Sequence, residues 1–398
     1  MEFWNDPITT MFNSLLGTFT GWGMSEALAT ILIWLIGILS FVSFAMVLDI
    51  FLVWIERKVV ARFQDRLGPN RVGPFGIFQP FADIVKLLIK EDITPLGADV
   101  VLFNLAPIVS LMSVLLLWAI LPFAPKMVGV DLNVAMLYLV AAGAIGTLSV
   151  IMAGWASNNK YALMGAFRTV AQMVSYEIPM VAALLIVTLL AGTMGAVGIV
   201  EAQDSVPFII LSPLAFLIFL ISVIAELGRS PFDLNEAESE IVAGFHTEYT
   251  GMKFGLFYAG ELLHSFTFGG FIALLFFGGH RFFGLEELGP IVGAIIFLLK
   301  ALFFYWVIMW VKYTVPRIRI DHMLAFNWKF LTPLAFILLM VTAVINRLLM
   351  DSAWLPLALF AANMLLIWLT IEYLKAQARK ERERAEALTQ STAAAAQH

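Results

Sequence analysis

Nine stretches of this chain run for about twenty residues with hardly a charge between them, and few folds admit that pattern. They cover residues 28–55, 100–123, 134–153, 169–190, 208–227, 254–278, 290–311, 330–345 and 354–374. A bilayer core is crossed by about 20 apolar residues of helix, because a helix bonds all of its backbone groups within the segment. Hydrophobic residues make up 61% of the 398 and charged residues only 13%, with a mean hydropathy of +0.90. A soluble core cannot absorb so apolar a composition. The expectation is an all-α integral membrane protein of about nine transmembrane helices. The chain has no cysteine, which excludes iron–sulfur ligation by thiolates, disulfides and thiol catalysis. It shows no repeat of 20–50 residues and no basic segment ahead of a short apolar core, so no cleavable signal peptide is expected.

Four segments follow. Residues 1–27 precede the first span; Asp6-Pro7 opens a helical pattern of Ile8, Met11, Phe12, Leu15, Leu16 and Phe19, which fits a helix lying in the interface or against a partner. Residues 28–345 hold eight spans, and 346–374 an additional one. Residues 375–398 are charged and then Ala-rich, and read as a helical extension that frays into disorder. With the first loop inside, the outside segments hold only Lys126, Arg281 and Arg347 of the 24 Lys and Arg. That bias puts the N-terminus outside and the C-terminus in the cytoplasm.

The first inside loop carries turn signals at Gly68-Pro69-Asn70 and Gly73-Pro74. Phe78, Phe81, Val85 and Leu88 then recur at helical spacing among Asp83, Lys86 and Lys90, which predicts an amphipathic interfacial helix. Its basic residues could bind lipid head groups or dock a soluble partner; so many turns suit docking better.

Acids collect in residues 228–261: Asp233, Glu236, Glu238, Glu240, Glu248 and Glu261, against Arg229 and Lys253. Ser230, Pro231 and Asp233 read as a helix start and Gly244 as a stop, which sets Glu236 and Glu240 one turn apart. A solvated loop would carry such charges too, but Glu261 lies inside the next apolar run. Asp49, Glu177, Glu226, His264 and Lys300 are also within spans. Such groups either pair to fix helix packing or mark an ion path, and acids at this depth more often do the second. His264 is one turn from Glu261 and is expected to reach it.

WIERKVVARFQDRLGPNRVGPFG, FRTVAQMVSYEIP, RSPFDLNEAESEIVAGFHTEYTGMKFGLFYAGE and YTVPRIRIDHMLAFNWKFLTP, in this order, resemble the quinone-site membrane subunit family of respiratory complex I over residues 28–345. The resemblance implies a part of the proton-pumping NADH:quinone oxidoreductase in a bacterial inner membrane. It implies a quinone chamber and a docking face for the hydrophilic arm at Glu56, Arg57, Arg62, Asp65, Arg66, Arg71, Arg168 and Arg229. It implies a proton path over Glu177, Glu226, Asp233, Glu236, Glu238, Glu240, Glu248 and Glu261. The substrate would be ubiquinone or menaquinone. Flavin and iron–sulfur clusters would belong to other subunits, and no residue of this chain would be catalytic alone. Partners would be the hydrophilic quinone-site and terminal iron–sulfur subunits, neighbouring membrane subunits and lipid, with no nucleic acid. His246 and His264 depart from the family pattern and take no role from it. A related membrane-bound hydrogenase or dehydrogenase carries a similar subunit, and a stand-alone ion transporter also uses intramembrane acids, though the missing inverted repeat counts against it. No strand-linked G-x-G-x-x-G or P-loop is present, so NADH is not expected to bind here.

Overall fold

The structure is a computed structural model, and it describes residues 6–234, 238–282, 284–349, 352 and 354–395. Among these residues eight helices are long and apolar enough to cross a bilayer, and no sheet is formed. The chain is a multi-pass membrane protein. Helix α1, Pro7–Gly21, starts where Asp6 accepts a bond from the Thr9 amide with Pro7 in the first turn. The membrane helices then begin with α2, Glu26–Phe63, and a loop carrying the short amphipathic helix α3, Gln79–Ile89. Next come α4, Val100–Trp118, α5, Ala135–Ala156, and α6, Lys160–Ala191. Short helices α7, Ala196–Glu201, and α8, Phe208–Leu211, precede α9, Pro213–Glu226. After the one-turn α10, Glu238–Ile241, come α11, Gly251–Phe277, and α12, Pro290–Thr314. The chain then runs through α13, Ile320–Phe326, α14, Thr332–Leu348, and α15, Leu355–Ala395.

The expected fifth span, residues 208–227, is not one crossing helix. Ser212 leaves helical geometry at φ −140° and ψ 69°, and Pro213 has no N–H to continue the ladder, so the run splits into α8 and α9. The 14 residues of α9 reach about 21 Å, short of a ~30 Å core. α15 closes the break: Asn363 donates its amide N–H to Leu211 O at 3.2 Å, and the Ser212 hydroxyl donates to Asn363 Oδ1 at 3.1 Å. The eighth expected span is longer than its apolar run. A π turn at Asn327–Leu331 joins α13 to α14, with the Asn327 amide donating to Ser175 O of α6.

α11 is the central helix. Its most apolar window is 83% buried, against 11% for α2 and for α15. Phe266, Phe268, Phe271 and Phe276 fill the space around it, and the Trp118 indole of α4 donates to Thr267 at 2.6 Å. Of the described loops, those at residues 64–99, 157–159, 227–250 and 315–319 gather at one end of the bundle.

The acidic loop is seated on α6. Gln172 donates to both Ala225 O and Phe232 O at 2.7 Å. A Cβ on Gly165 would come within 2.7 Å of Gly244 Cα, so only glycine permits that approach, and Gly244 itself has φ +58°. The helix start expected at Ser230 is absent. Residues 228–234 run as irregular backbone, with Gly228 at φ +60° and the Ile318 amide donating to Pro231 O at 3.0 Å. Tertiary bonds of this kind override a local capping signal.

Candidate functional site

Arg229 stands at the centre of the charged groups. Gly228, in a left-handed conformation, turns the chain after α9 so that the Arg229 side chain enters the bundle, where it is 4% exposed. Its guanidinium lies 3.1 Å from Glu261 on α11 and 3.7 Å from Glu56 on α2, and it donates to the Ser265 hydroxyl. Glu56 gathers three further donors: the Lys312 ammonium at 2.9 Å, the Tyr313 hydroxyl at 2.6 Å and, more distantly, Tyr258 at 3.5 Å. A buried carboxylate so surrounded is compensated, and removal of a partner would leave it costly. One cation thus joins acids from two helices. Sequence reasoning expected Glu261 to find His264; it finds Arg229 instead, and His264 Nε2 has no partner.

Two cavities lie near this group: Glu261 borders one, and Tyr258, the distant donor to Glu56, borders the other. The inner one, about 70 Å³, is bounded by Glu226, Glu261, His246, His264, Ser113 and Thr169. It has room for several waters, each needing about 10–15 Å³ and polar partners. Glu226 is 6% exposed, one of its oxygens has no partner, and Glu177 on α6 lies within electrostatic reach. His246 borders the cavity from the loop, and burial pushes its imidazole down to about 4. The outer cavity, about 440 Å³, lies between α2, α3 and α11 with mostly apolar walls. At its loop end Arg57 pairs with Asp83 of α3 at 2.5 Å.

Three other acids of the loop have partners among the described residues. Asp233 binds Arg317 at 2.7 Å, Glu240 binds Arg168, and Glu248 accepts from the Asn159 amide at 2.6 Å. The Arg168 guanidinium bonded to Glu240 holds that carboxyl below the usual carboxylate range. Glu236 and the side chain of Glu238 lie outside the described residues. Arg62, in the last turn of α2, and Asp65, Arg66 and Arg71, on the loop after it, are exposed and stand apart from the buried group. Gly76 folds that loop tightly, since a Cβ there would meet Pro69 O at 2.2 Å.

A family model described as NADH dehydrogenase matches residues 36–343. A protein of Dehalococcoides mccartyi strain CBDB1, named as the H subunit of NADH-quinone oxidoreductase, is 47% identical over 321 residues, 80% of this chain and 88% of its own length. The chain belongs to the H-subunit family of NADH-quinone oxidoreductases. A relative of the same name from Brevibacillus brevis is 42% identical over 337 residues, covering 84% of this chain and 98% of the relative. One from Geobacillus kaustophilus is 47% identical over 292 residues, 73% and 87% of the two chains. As a member of this family, the chain is one component of an oxidoreductase assembly.

Of the residues this NADH-quinone oxidoreductase component was expected to use, the fold brings Glu56, Arg229 and Glu261 into one group, with Glu226 on the inner cavity and Glu177 within electrostatic reach of Glu226. Arg57 sits on the outer cavity. Sequence reasoning missed Lys312, Tyr313, Tyr258, Asp83 and Arg317. Lys312 and Arg317 registered only as inside charge, and nothing local marks the tyrosines as partners of an acid more than a hundred residues away.

Proposed function

We propose that this chain forms the quinone chamber floor of a proton-translocating NADH:quinone oxidoreductase and the first part of the acidic path that links quinone reduction to pumping. The observation that carries the proposal is Arg229, held between Glu56, to which Tyr258 of the outer cavity donates, and Glu261, which borders the inner cavity. The outer cavity is apolar, of small-molecule size, and flanked by the half-exposed Met252 and Phe254, which suits entry of a lipid-soluble ring from the bilayer. Ubiquinone or menaquinone would be the substrate. When it is reduced, the charge near Glu56 changes. Arg229 responds to both acids, so a change at Glu56 alters how firmly it holds Glu261. Glu261, Glu226 and Glu177 then pass protons by way of water in the inner cavity.

Residues 28–345 would be the chamber domain, with 346–374 an added span and 375–398 a cytoplasmic tail; the N-terminus would lie outside a bacterial inner membrane. The exposed Arg62, Asp65, Arg66 and Arg71 would dock the hydrophilic quinone-site and terminal iron–sulfur subunits, which would carry the redox centres, while other faces meet lipid and neighbouring membrane subunits. Arg168 would line the chamber and docking side, and Asp233, Glu236, Glu238, Glu240 and Glu248 would extend the path toward that face. Neither flavin nor iron–sulfur cluster would bind here.

Affinity purification of the tagged chain from its native membrane tests this. The expected product is a large assembly containing flavin and iron that oxidises NADH with a quinone acceptor. Recovery of the chain alone or as a homo-oligomer would contradict it and favour a transporter.

A further inference from the structure

Asp49 lines the outer cavity, and the proposed path does not use it. It lies on α2, seven residues before Glu56 and so about 10 Å deeper along the helix. It is 7% exposed, and its Oδ1 has no hydrogen-bond partner. The other charged groups of this cavity are occupied with one another: Arg57 is 2.5 Å from Asp83, and Lys86 is 3.7 Å from the same carboxylate. The walls around Asp49 are apolar, from Met46, Ile50 and Val53 of α2 and Leu256 and Ala259 of α11. A buried oxygen without a partner is costly in such surroundings and calls for a bonding group from elsewhere. The Tyr305 hydroxyl, also buried and unbonded, lies within electrostatic reach of both Asp49 and Glu56. Polar groups therefore continue from the deep end of the cavity to the Glu56–Arg229 group.

We propose that Asp49 is a holding point for the ring oxygens of a lipid-soluble quinone, two helical turns before the ring reaches Glu56. A carboxyl group suits both redox forms. As the acid it donates to a ring carbonyl, and its oxygens accept from a quinol hydroxyl. An apolar tail would lie against Met46, Ile50 and Val53 while the ring is held. This role rests on the quinone assignment of the outer cavity, and it makes Asp49 a residue that sets affinity rather than turnover.

The test uses the whole complex in native membranes. KM and kcat for a short-tailed ubiquinone analogue are measured for wild type, Asp49→Asn, Asp49→Leu and Asp49→Ala, normalised to assembled complex. In parallel, wild type is photolabelled with an azido-ring ubiquinone analogue and the labelled peptide identified. Asparagine keeps a donor and an acceptor; leucine and alanine keep neither. The expected result is labelling within α11 near Leu256, KM raised about tenfold in both apolar variants, and KM within about twofold of wild type for Asp49→Asn, since one hydrogen bond corresponds to roughly a tenfold change. Labelling of the cavity with an unchanged KM in Asp49→Leu and Asp49→Ala overturns the role of Asp49 and leaves the quinone cavity standing. Absence of label from the cavity in wild type overturns both. An equal loss of kcat in all three variants without a KM change marks Asp49 as structural and also overturns the proposal.

Discussion

Arg229 can satisfy Glu261 and Glu56 together because a guanidinium presents donors on several edges, which an ammonium does not. Arg229→Gln leaves two acids inside the bundle with less positive charge, and breaking a buried pair costs about 3–5 kcal/mol. The expected outcome is a fall of at least about tenfold in quinone-linked NADH oxidation per assembled complex, with only partial recovery in Arg229→Lys. Assays with quinone and with a soluble artificial acceptor on the same membranes check this, since only the quinone rate should drop. His246 carries a second residue-scale consequence. Burial holds its folded value at about 4, below the ordinary ~6.5. A depressed value means that the unfolded chain binds the proton first. Its contribution is therefore nearly complete above about pH 6.5 and is lost as the pH falls toward 4, by roughly 2 kcal/mol at pH 5 and about 3 kcal/mol at pH 4. Thermal unfolding at pH 7 and pH 5 should show a smaller acid penalty in His246→Phe than in wild type.

At the scale of elements, the break between α8 and α9 depends on α15. Asn363 is 2% exposed and answers the Leu211 carbonyl left open where Ser212 leaves helical geometry. Asn363→Leu should strand that carbonyl and the Ser212 hydroxyl and cost about 1–3 kcal/mol, read as a Tm lowered by several degrees against a neighbouring lipid-facing control such as Leu365→Ala. The elements themselves were largely legible beforehand. Apolar runs of bilayer length located eight crossing helices, and the spacing of Phe78, Phe81, Val85 and Leu88 located α3, because burial and helical period act locally. The break at Ser212-Pro213 was written in the sequence but was outweighed there by the continuous hydrophobicity around it. Ser230 failed as a helix start for the opposite reason. Its local signal was sound, yet Arg229 on one side and the Ile318 amide on the other hold the backbone in an irregular path. The partners of Glu56 were not legible at all, since Lys312 and Tyr313 arrive from a helix near the other end of the chain.

Across the whole molecule, α11 lines both the apolar outer cavity and the acidic inner one, and Arg229 pairs with Glu261, which borders the inner cavity. On the proposed function, this arrangement would make quinone chemistry and proton transfer parts of one electrostatic unit rather than two neighbouring sites. The most direct measurement of that claim is proton translocation against quinone reduction in proteoliposomes containing the assembled complex with Glu261→Gln, followed with a pH-sensitive dye. Glutamine keeps the shape of the side chain and some hydrogen bonding, but it neither ionises nor carries a proton. Assembly and artificial-acceptor activity should stay near wild type, while quinone reduction and pumping fall together by about tenfold, the effect of roughly 1.4 kcal/mol on a rate. Pumping at the normal ratio to quinone and at the normal rate would contradict the account and leave Glu261 as a partner that merely holds Arg229 in place.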